Sequence, residues 1–142
     1  ARIFNTYGPR MLSDDGRVIS TFIVHALQNK SLTVFGSGKQ SRSFCYVGDL
    51  IEGLVKLMNS NESGPINLGS PKELTITDLA ELVRLKINQR LDIIKTELPQ
   101  DDPVKRQPLI QLASEKLNWE PKVSLNEGLD MTIKYFQDEL GI

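Results

Sequence analysis

Hydrophobic residues recur at helical spacing in four segments of the chain. The clearest segment is 47–59, where apolar side chains at positions 47, 50, 51, 54, 55 and 58 follow the i, i+3, i+4, i+7 rule. Segment 17–29 has the same kind of apolar face. Thr75 and Ser124 are each followed three residues later by an acidic residue, which is the spacing of a capping box. We therefore predict two further helices that begin after Thr75 and after Ser124.

Short apolar runs between these helices are typical of strands. They cover residues 32–35, 43–47, 65–68 and 91–98, with Gly and Pro at the joins. The alternation of helices and strands indicates an α/β or α+β class. An apolar strand at residues 1–4 opens the chain with no partner predicted within the next thirty residues. We expect it to belong to a parallel sheet whose other strands precede it, so most of that sheet is expected to be missing.

Composition places the chain among globular proteins of ordinary domain size. It has 142 residues, of which 39% are hydrophobic and 25% charged. No apolar run approaches the roughly 20 residues that span a bilayer, and the absent initiator Met suggests a piece of something longer. Residues 1–50 carry six basic and three acidic side chains. This excess suits a phosphate-bearing ligand, but it is too small to indicate nucleic acid.

Cysteine and histidine each occur once in the chain. Cys45 is the only cysteine, so no internal disulfide is possible, and we predict that it is a small core residue rather than a nucleophile. His25 is the only histidine. One His and one Cys cannot supply a zinc site, so we expect His25 to serve packing or to lie at the surface, and we predict no metal.

Polar side chains follow the opening strand. Asn5, Tyr7 and Arg10 stand where open α/β sheets bind ligands, beyond the carboxyl ends of strands, although an ordinary polar loop would have the same composition. Arg10 and Arg42 have the chemistry to clamp a diphosphate through bidentate bonds. The alternative is that both are surface salt-bridge partners.

Residues 36–41 begin like a dinucleotide-binding fingerprint, because Gly-x-Gly follows a strand. The fingerprint also needs a third small residue and a helix, whereas a strand-like segment follows here. We interpret residues 36–41 as a hairpin turn from which Lys39, Gln40 and Arg42 face a ligand.

A polar loop with three prolines covers residues 99–108 and precedes a short helix. Fixed backbone angles reduce the entropy lost when such a loop closes over a ligand. Asp101 or Asp102 is suited to accept from ribose hydroxyls and Arg106 to meet an anionic group, while the alternative is a solvated connector. The sequence contains no Tyr-x-x-x-Lys and no Ser/His/Asp arrangement.

Six ordered motifs together resemble a known family. They are ARIFNTYGPRM, DDGRVISTFI, LTVFGSGKQSRSFCYVGDLIEGLVKLM, GPINLGSP, DDPVKRQP and KLNWEPKVSLNEGL. In order and spacing they are similar to the carboxyl-terminal part of extended short-chain dehydrogenase/reductases that act on nucleotide sugars. Within that family the chain most resembles the UDP-glucuronate decarboxylases, with dehydratases and epimerases as further relatives.

The resemblance implies an α/β fold that is the substrate-binding portion of an extended Rossmann enzyme. Residues 1–16 would be the last part of the Rossmann domain and residues 17–142 the nucleotide-sugar domain. The main NAD site and the Tyr-x-x-x-Lys pair would lie in the missing amino-terminal part. The family also implies a UDP-sugar ligand, NAD as cofactor and a homodimer, located in the cytoplasm of bacteria or in the secretory lumen for an anchored form.

The resemblance also implies roles for particular residues. Thr6 and Arg17 match positions that approach NAD. Arg106 matches the position associated with the substrate carboxylate or with proton delivery after decarboxylation. The positions implied to bind substrate are Asn5 and Arg42 at the diphosphate, Leu32, Val34 and Phe35 beside the base, and Arg10, Gln40, Tyr46, Asp102 and Arg106.

Two departures from the family pattern lie in the loop after Arg106. The family commonly has Arg-Lys-Pro-Asp-Ile where this chain has Gln107 and Leu109 at the second and fourth positions. An Asp at position 109 would cap or orient the following helix.

In the complete enzyme, UDP-glucuronate would lose CO2 to give UDP-xylose through reversible hydride exchange with NAD. The chain alone is expected to be inert. The alternatives are part of a nucleotide-sugar 4,6-dehydratase or 4-epimerase, and a nucleotide-sugar binding module without catalysis.

Overall fold

A computed structural model of the chain describes residues 1–97 and 105–142, and at residues 105 and 106 it describes the backbone alone. The four helices predicted from apolar spacing are confirmed, and the short helix expected after the proline-rich loop is present as well. The helices are α1 (Val18–Leu27), α2 (Val47–Met58), α3 (Ile76–Ile87), α4 (Gln111–Leu117) and α5 (Leu125–Leu140).

Side-chain caps explain where α3 and α5 begin. Thr75 Oγ1 accepts from the Asp78 N–H at 3.0 Å. At α5, Ser124 Oγ accepts from the Glu127 N–H at 3.2 Å, and Glu127 Oε2 accepts from the Ser124 N–H at 3.0 Å, which completes a capping box. Hydrogen bonds from the Ser124 side chain and backbone hold the pKa of the Glu127 carboxyl below its usual value.

The strands within the described ranges are short, and each contains two to four residues. They are β1 (Arg2–Ile3), β2 (Thr6–Tyr7), β3 (Leu32–Phe35), β4 (Ser41–Ser43), β5 (Cys45–Tyr46), β6 (Asn67–Leu68), β7 (Glu73–Thr75), β8 (Ile93–Thr96) and β9 (Lys105–Arg106).

These strands pair mainly in parallel. β1 pairs with β6, β2 with β5 and β3 with β8, each as a separate parallel sheet. In the remaining sheet, β4 lies between the antiparallel β7 and the parallel β9. Parallel strands joined by helical connections define an α/β protein, so the predicted α/β class is confirmed.

The hairpin interpretation of residues 36–41 is wrong, because β3 and β4 belong to different sheets. Gly36 and Gly38 both adopt left-handed backbone angles, with φ of 67° and 71°. A Cβ on Gly38 would overlap the Thr77 hydroxyl and come within 2.8 Å of a Val34 methyl group. The two glycines therefore make a tight turn that passes the chain from one sheet to the next.

Two other local predictions are corrected. The segment predicted as a polar loop after the opening strand contains β2. The predicted strand at residues 43–47 is instead the end of β4, the whole of β5 and the first residue of α2. Both differences come from two-residue strands whose partners lie far along the chain, as in the pairing of Thr6 with Cys45.

The opening strand is parallel, as predicted, but its partner lies within the chain. The N–H groups of Arg2 and Phe4 donate to the carbonyl oxygens of Ile66 and Leu68 at 2.9 and 3.0 Å. Adjacent residues of a strand direct their backbone groups to opposite edges, so those of Ile3 face away from β6. No described strand pairs with β1 along that edge.

Two hydrophobic clusters form the core. The larger one joins α1, α3 and α5 to β3, and the smaller one lies between α2, α4 and β6. Cys45 is buried in the smaller cluster, so its predicted core position is confirmed, while His25 is half-buried in the last turn of α1. Within the described ranges no helix is both long and apolar enough to cross a bilayer.

The first turn of α2 is tied to the segment before α5. Asp49 is 4% exposed, and its Oδ2 accepts from the N–H groups of Lys122 and Val123 at 3.0 and 2.9 Å. The Trp119 indole N–H donates to the Asp49 carbonyl oxygen at 2.9 Å. Asp49 thus accepts from three distant donors, two at its carboxylate and one at its backbone carbonyl, and it fixes the chain between α4 and α5.

Candidate functional site

A cavity of about 550 Å³ opens between β2, α1 and β3. Its lining includes apolar side chains such as Phe22 and Phe44, which the sequence analysis did not select. Six of the predicted ligand-binding residues meet at this cavity, although they come from four separate segments. They are Asn5, Thr6, Arg17, Phe35, Gln40 and Arg42.

Asn5 is held at the cavity by both its backbone and its side chain. Its carbonyl oxygen accepts from the Cys45 N–H at 2.8 Å, and its Nδ2 donates to the Ser43 carbonyl oxygen at 3.2 Å. These bonds join the start of β2 to the end of β4. The amide is therefore positioned before any ligand arrives.

Arg42 is the most buried charged side chain of the cavity wall, with 9% of its surface exposed. It lies in β4, and its Nη1 donates to the Ser41 carbonyl oxygen at 2.8 Å. Ser41 is itself held by a hydrogen bond from its hydroxyl to Glu73 Oε1 at 2.7 Å. A buried guanidinium group whose direction is fixed in this way is suited to bind an anion bidentately.

Strand β3 divides its residues between the core and the cavity. Leu32 and Val34 are fully buried in the larger cluster, whereas Thr33 and Phe35 line the cavity. The resemblance implies that Leu32 and Val34 lie beside the base. The structure instead buries both side chains in the core, so neither is part of the cavity wall. Thr33 was missed, although the period-two alternation of a strand with buried positions 32 and 34 predicts it.

Gln40 lies on the turn that follows β3. Its Nε2 donates to the Phe35 carbonyl oxygen at 2.8 Å, which leaves the amide beside the exposed Phe35 ring at the cavity rim. Phe35 is 49% exposed. An aromatic face next to an amide is a suitable surface for stacking and hydrogen bonding to a planar base.

Thr6 and Arg17, the two residues implied to approach NAD, lie on the same cavity. The Thr6 hydroxyl donates to the Phe4 carbonyl oxygen at 2.9 Å. Arg17 is 66% exposed at the start of α1, with its Nε 3.5 Å from Asp15 Oδ2. Asp15 also accepts from the Arg17 N–H and from the Ser20 hydroxyl, so it fixes the start of this helix.

Besides Leu32 and Val34, two more predicted substrate residues do not line this cavity. Arg10 is exposed and has a left-handed backbone with φ of 72°. Tyr46 packs edge-on against Tyr7 with ring centroids 5.9 Å apart, and its hydroxyl lies 3.4 Å from the Met131 sulfur. The side chain of Tyr46 therefore joins β5 to α5 and packs behind Tyr7, which does line the cavity.

The late loop is only partly described. Asp101 and Asp102 lie outside the described residues. The backbone of Arg106 is in β9, where it is the register partner of Arg42 on the neighbouring parallel strand. The roles predicted for Asp102 and Arg106 stay predictions.

The two departures from the family pattern have different surroundings. Gln107 Nε2 donates to the Pro71 carbonyl oxygen at 2.8 Å, whereas the Leu109 side chain is 83% exposed. Helix α4 begins after Ile110 without a side-chain cap. Position 109 therefore precedes the N-cap residue of α4, which is Ile110.

The cavity favours binding of an anion over proton transfer. Its described lining contains two cationic side chains, Arg17 and Arg42, and no carboxylate. Burial, with smaller effects from neighbouring acidic groups, raises the pKa of the Tyr7 phenol far above its usual range, so this hydroxyl stays protonated. No group of three or more His, Cys, Asp or Glu among the described residues could hold a metal ion.

Fold and cavity together define an α/β unit with a cavity whose described wall carries two arginines and no carboxylate. Residues 1–69 match the model of the NAD dependent epimerase/dehydratase family. Across all 142 residues the chain is 52% identical to UDP-glucuronic acid decarboxylase 3 of Arabidopsis thaliana. The resemblance stated from the motifs is confirmed.

Solved structures match the fold closely. UDP-glucose 4-epimerase of Thermotoga maritima, solved with UDP-glucose, superposes on 98% of the chain with a TM-score of 0.94 and 30% identity. UDP-glucuronic acid 4-epimerase of Bacillus cereus, solved with UDP-glucuronic acid and NAD, covers 97% with a TM-score of 0.89 and 28% identity. The chain spans 42% of the Arabidopsis protein and 44–45% of these two structures.

Proposed function

We propose that this chain is the nucleotide-sugar-binding part of an NAD-dependent UDP-glucuronate decarboxylase. The observation that carries the proposal is the shared cavity of Asn5 and Arg42, which lie 37 positions apart in the sequence. The similarity over the whole chain to UDP-glucuronic acid decarboxylase 3 supports this substrate class.

In this proposal the pyrophosphate of UDP lies against Arg42 and the Asn5 amide. The guanidinium group supplies charge-assisted hydrogen bonds, and its burial strengthens them because solvent screens them less. The base lies against Phe35 and Gln40 at the rim. Holding the diphosphate at a fixed place positions the distant sugar carbon for reaction, which lowers the entropy cost of the chemical step.

Thr6 and Arg17 suit the border of a dinucleotide site, because they add a hydroxyl and a cation to the same wall. NAD, when bound by the complete enzyme, supplies reversible hydride exchange with the sugar. We propose that the segments by which the relatives exceed this chain provide the main NAD site. The role of Arg106 at the substrate carboxylate is part of the same proposal, supported by the backbone register of β9 with β4.

A 4-epimerase is the second candidate, because the two solved structures above are 4-epimerases that bind UDP-sugars. Their identity to this chain, 28–30%, is well below the 52% shared with the decarboxylase. The decarboxylase is therefore preferred.

Product analysis of the complete protein that contains this sequence tests the proposal. The protein is incubated with NAD and UDP-glucuronate, and CO2 and nucleotide sugars are measured. We expect CO2 and UDP-xylose in equal amounts. UDP-galacturonate without CO2 would instead establish the epimerase. Absence of any product, together with binding of UDP, would favour the binding module.

A further inference from the structure

The chain that follows β9 is bonded at two points to the stretch that begins with β6. Gln107 Nε2 donates to the Pro71 carbonyl oxygen at 2.8 Å. Two residues later, the Leu109 carbonyl oxygen accepts from Asn67 Nδ2 at 3.0 Å. We call residues 107–109 the anchor segment, because both of its ends are attached to the same neighbouring stretch of chain.

Gly69 is the point where the anchor segment meets the opening segment of the chain. A Cβ at position 69 would lie 2.8 Å from Phe4 Cβ and 3.0 Å from Pro108 Cγ, so only glycine allows the three residues to pack this closely. Phe4 lines the cavity directly before Asn5, and the buried Pro108 lies two positions after Arg106. The packing at Gly69 therefore joins the cavity wall at Asn5 to the chain just beyond Arg106.

Strand β9 is held both along its length and at its carboxyl end. Along its length it pairs with β4, where Arg106 is the register partner of Arg42. At its end the Gln107 bond follows immediately after the last strand residue. A strand of two residues supplies few ladder hydrogen bonds of its own, so its place on β4 depends on the chain to which it is attached.

We propose that Gln107 is a positioning residue, which holds the backbone of Arg106 at a fixed place relative to Asn5 and Arg42. This inference rests on the proposed function, in which Arg42 binds the diphosphate and Arg106 meets the substrate carboxylate. A ligand with both anionic groups is bound well only when the two arginines stand at the right separation, and a displacement of about 1 Å can cost roughly a factor of 100. The anchor segment thereby makes the site selective for a nucleotide sugar that carries a carboxylate.

The test uses the complete protein that contains this sequence and compares UDP-glucuronate with UDP-glucose, which lacks the carboxylate. Gln107→Met keeps the length of the side chain and removes its N–H donor, whereas Gln107→Lys keeps a donor. Gln111→Met is the matched control, because Gln111 is also an exposed glutamine but its amide bonds to Glu115 within its own helix. Calorimetric titration, with NAD withheld so that the ligand is not consumed, gives both dissociation constants for each variant.

We expect Gln107→Met to weaken UDP-glucuronate binding about tenfold and to change UDP-glucose binding by no more than about twofold, because only the first ligand spans both arginines. Gln107→Lys should restore most of the affinity for UDP-glucuronate. Gln111→Met should bind both ligands like the parent. All variants should unfold within about 2 °C of the parent, since the Gln107 bond is exposed to solvent and contributes little to stability.

The inference is overturned if Gln107→Met weakens the binding of both ligands equally, if it weakens neither, or if Gln107→Lys binds UDP-glucuronate as poorly as Gln107→Met. The parent protein tests the proposed function separately. If the parent binds the two ligands equally, the role of Arg106 at the carboxylate is wrong and the inference falls with it. If the parent prefers UDP-glucuronate and Gln107→Met keeps that preference, only the inference about Gln107 is wrong.

Discussion

Asn5 donates a hydrogen bond from its side-chain amide to the Ser43 carbonyl oxygen at 3.2 Å, and this bond sets the end of β4 beside the start of β2. The contact brings a residue of the opening segment to the strand that carries Arg42. The cavity therefore depends on an amide that has a structural task and, in the proposed function, a binding task as well.

Replacing this amide by a carboxylate tests both tasks. Asn5→Asp cannot donate to Ser43 and adds negative charge to a wall without carboxylates, so we expect a loss of about 1–3 kcal/mol in unfolding free energy together with weaker UDP binding. Urea denaturation and calorimetry measure the two effects. Asn61→Asp, in an exposed loop, serves as the control and should change neither.

The buried carboxylate of Asp49 should be essential for stability. Asp49→Ala leaves the N–H groups of Lys122 and Val123 without their acceptor, which should cost about 2 kcal/mol or more. Asp14→Ala at an exposed position is the control. Equal urea midpoints for the two variants would show that water replaces the carboxylate without cost.

The close approach of α5 to Tyr7 gives a packing prediction. A Cβ on Gly128 would overlap the Tyr7 hydroxyl and lie 2.7 Å from Cζ of the ring, so Gly128→Ala should destabilise the fold by about 1–3 kcal/mol. Adding Tyr7→Phe removes the hydroxyl and should recover part of the loss. Gly64→Ala, where a Cβ meets nothing within 4 Å, should be nearly neutral. No recovery in the double variant would contradict the proposed clash.

Cys45 gives a prediction for alkaline pH. Burial, with a smaller effect of Asp49, raises the pKa of the Cys45 thiol to about 12 from an ordinary value of 9.0. As the pH rises, the thiol ionises in the unfolded chain before it ionises in the fold. The contribution of the neutral thiol to the unfolding free energy is therefore complete below pH 9 and is lost as the pH rises toward 12. Between pH 9 and 10.5 the parent should lose about 1.5 kcal/mol more than Cys45→Ala does. The prediction would be contradicted if the unfolding free energies of the parent and of Cys45→Ala, measured by urea denaturation, fell by the same amount over this pH range.

Local patterns predicted the helices well, because amphipathic spacing and the caps at Thr75 and Ser124 act within a few residues. The strands were harder to predict. β1 and β2 contain two residues each and pair with positions about 65 and 39 residues further on. The turn at Gly36 and Gly38 resembled a hairpin because tight turns use glycine whether or not the flanking strands pair with each other.

The site, like the strands, was predictable only in part. The motifs identified Asn5 and Arg42, and the alternation along β3 would have added Thr33. Nothing local shows that Val34 faces the core while Phe35 faces the cavity rim, because that choice depends on which face α1 and α3 cover. The exposure of Ile51, Val55 and Met58 on α2 was likewise not predictable, since spacing shows that a face is apolar and not what covers it.

Calorimetric titration of UDP into the chain tests the central claim most directly, with Arg42→Lys as the probe and Arg10→Lys as the exposed control. Lysine keeps the charge and loses the bidentate geometry, so we predict that Arg42→Lys weakens binding about tenfold or more while Arg10→Lys binds like the parent. Circular dichroism verifies that both variants are folded. Unchanged affinity of a folded Arg42→Lys variant, or equal losses in both variants, would contradict the assignment of the diphosphate to the Asn5–Arg42 cavity.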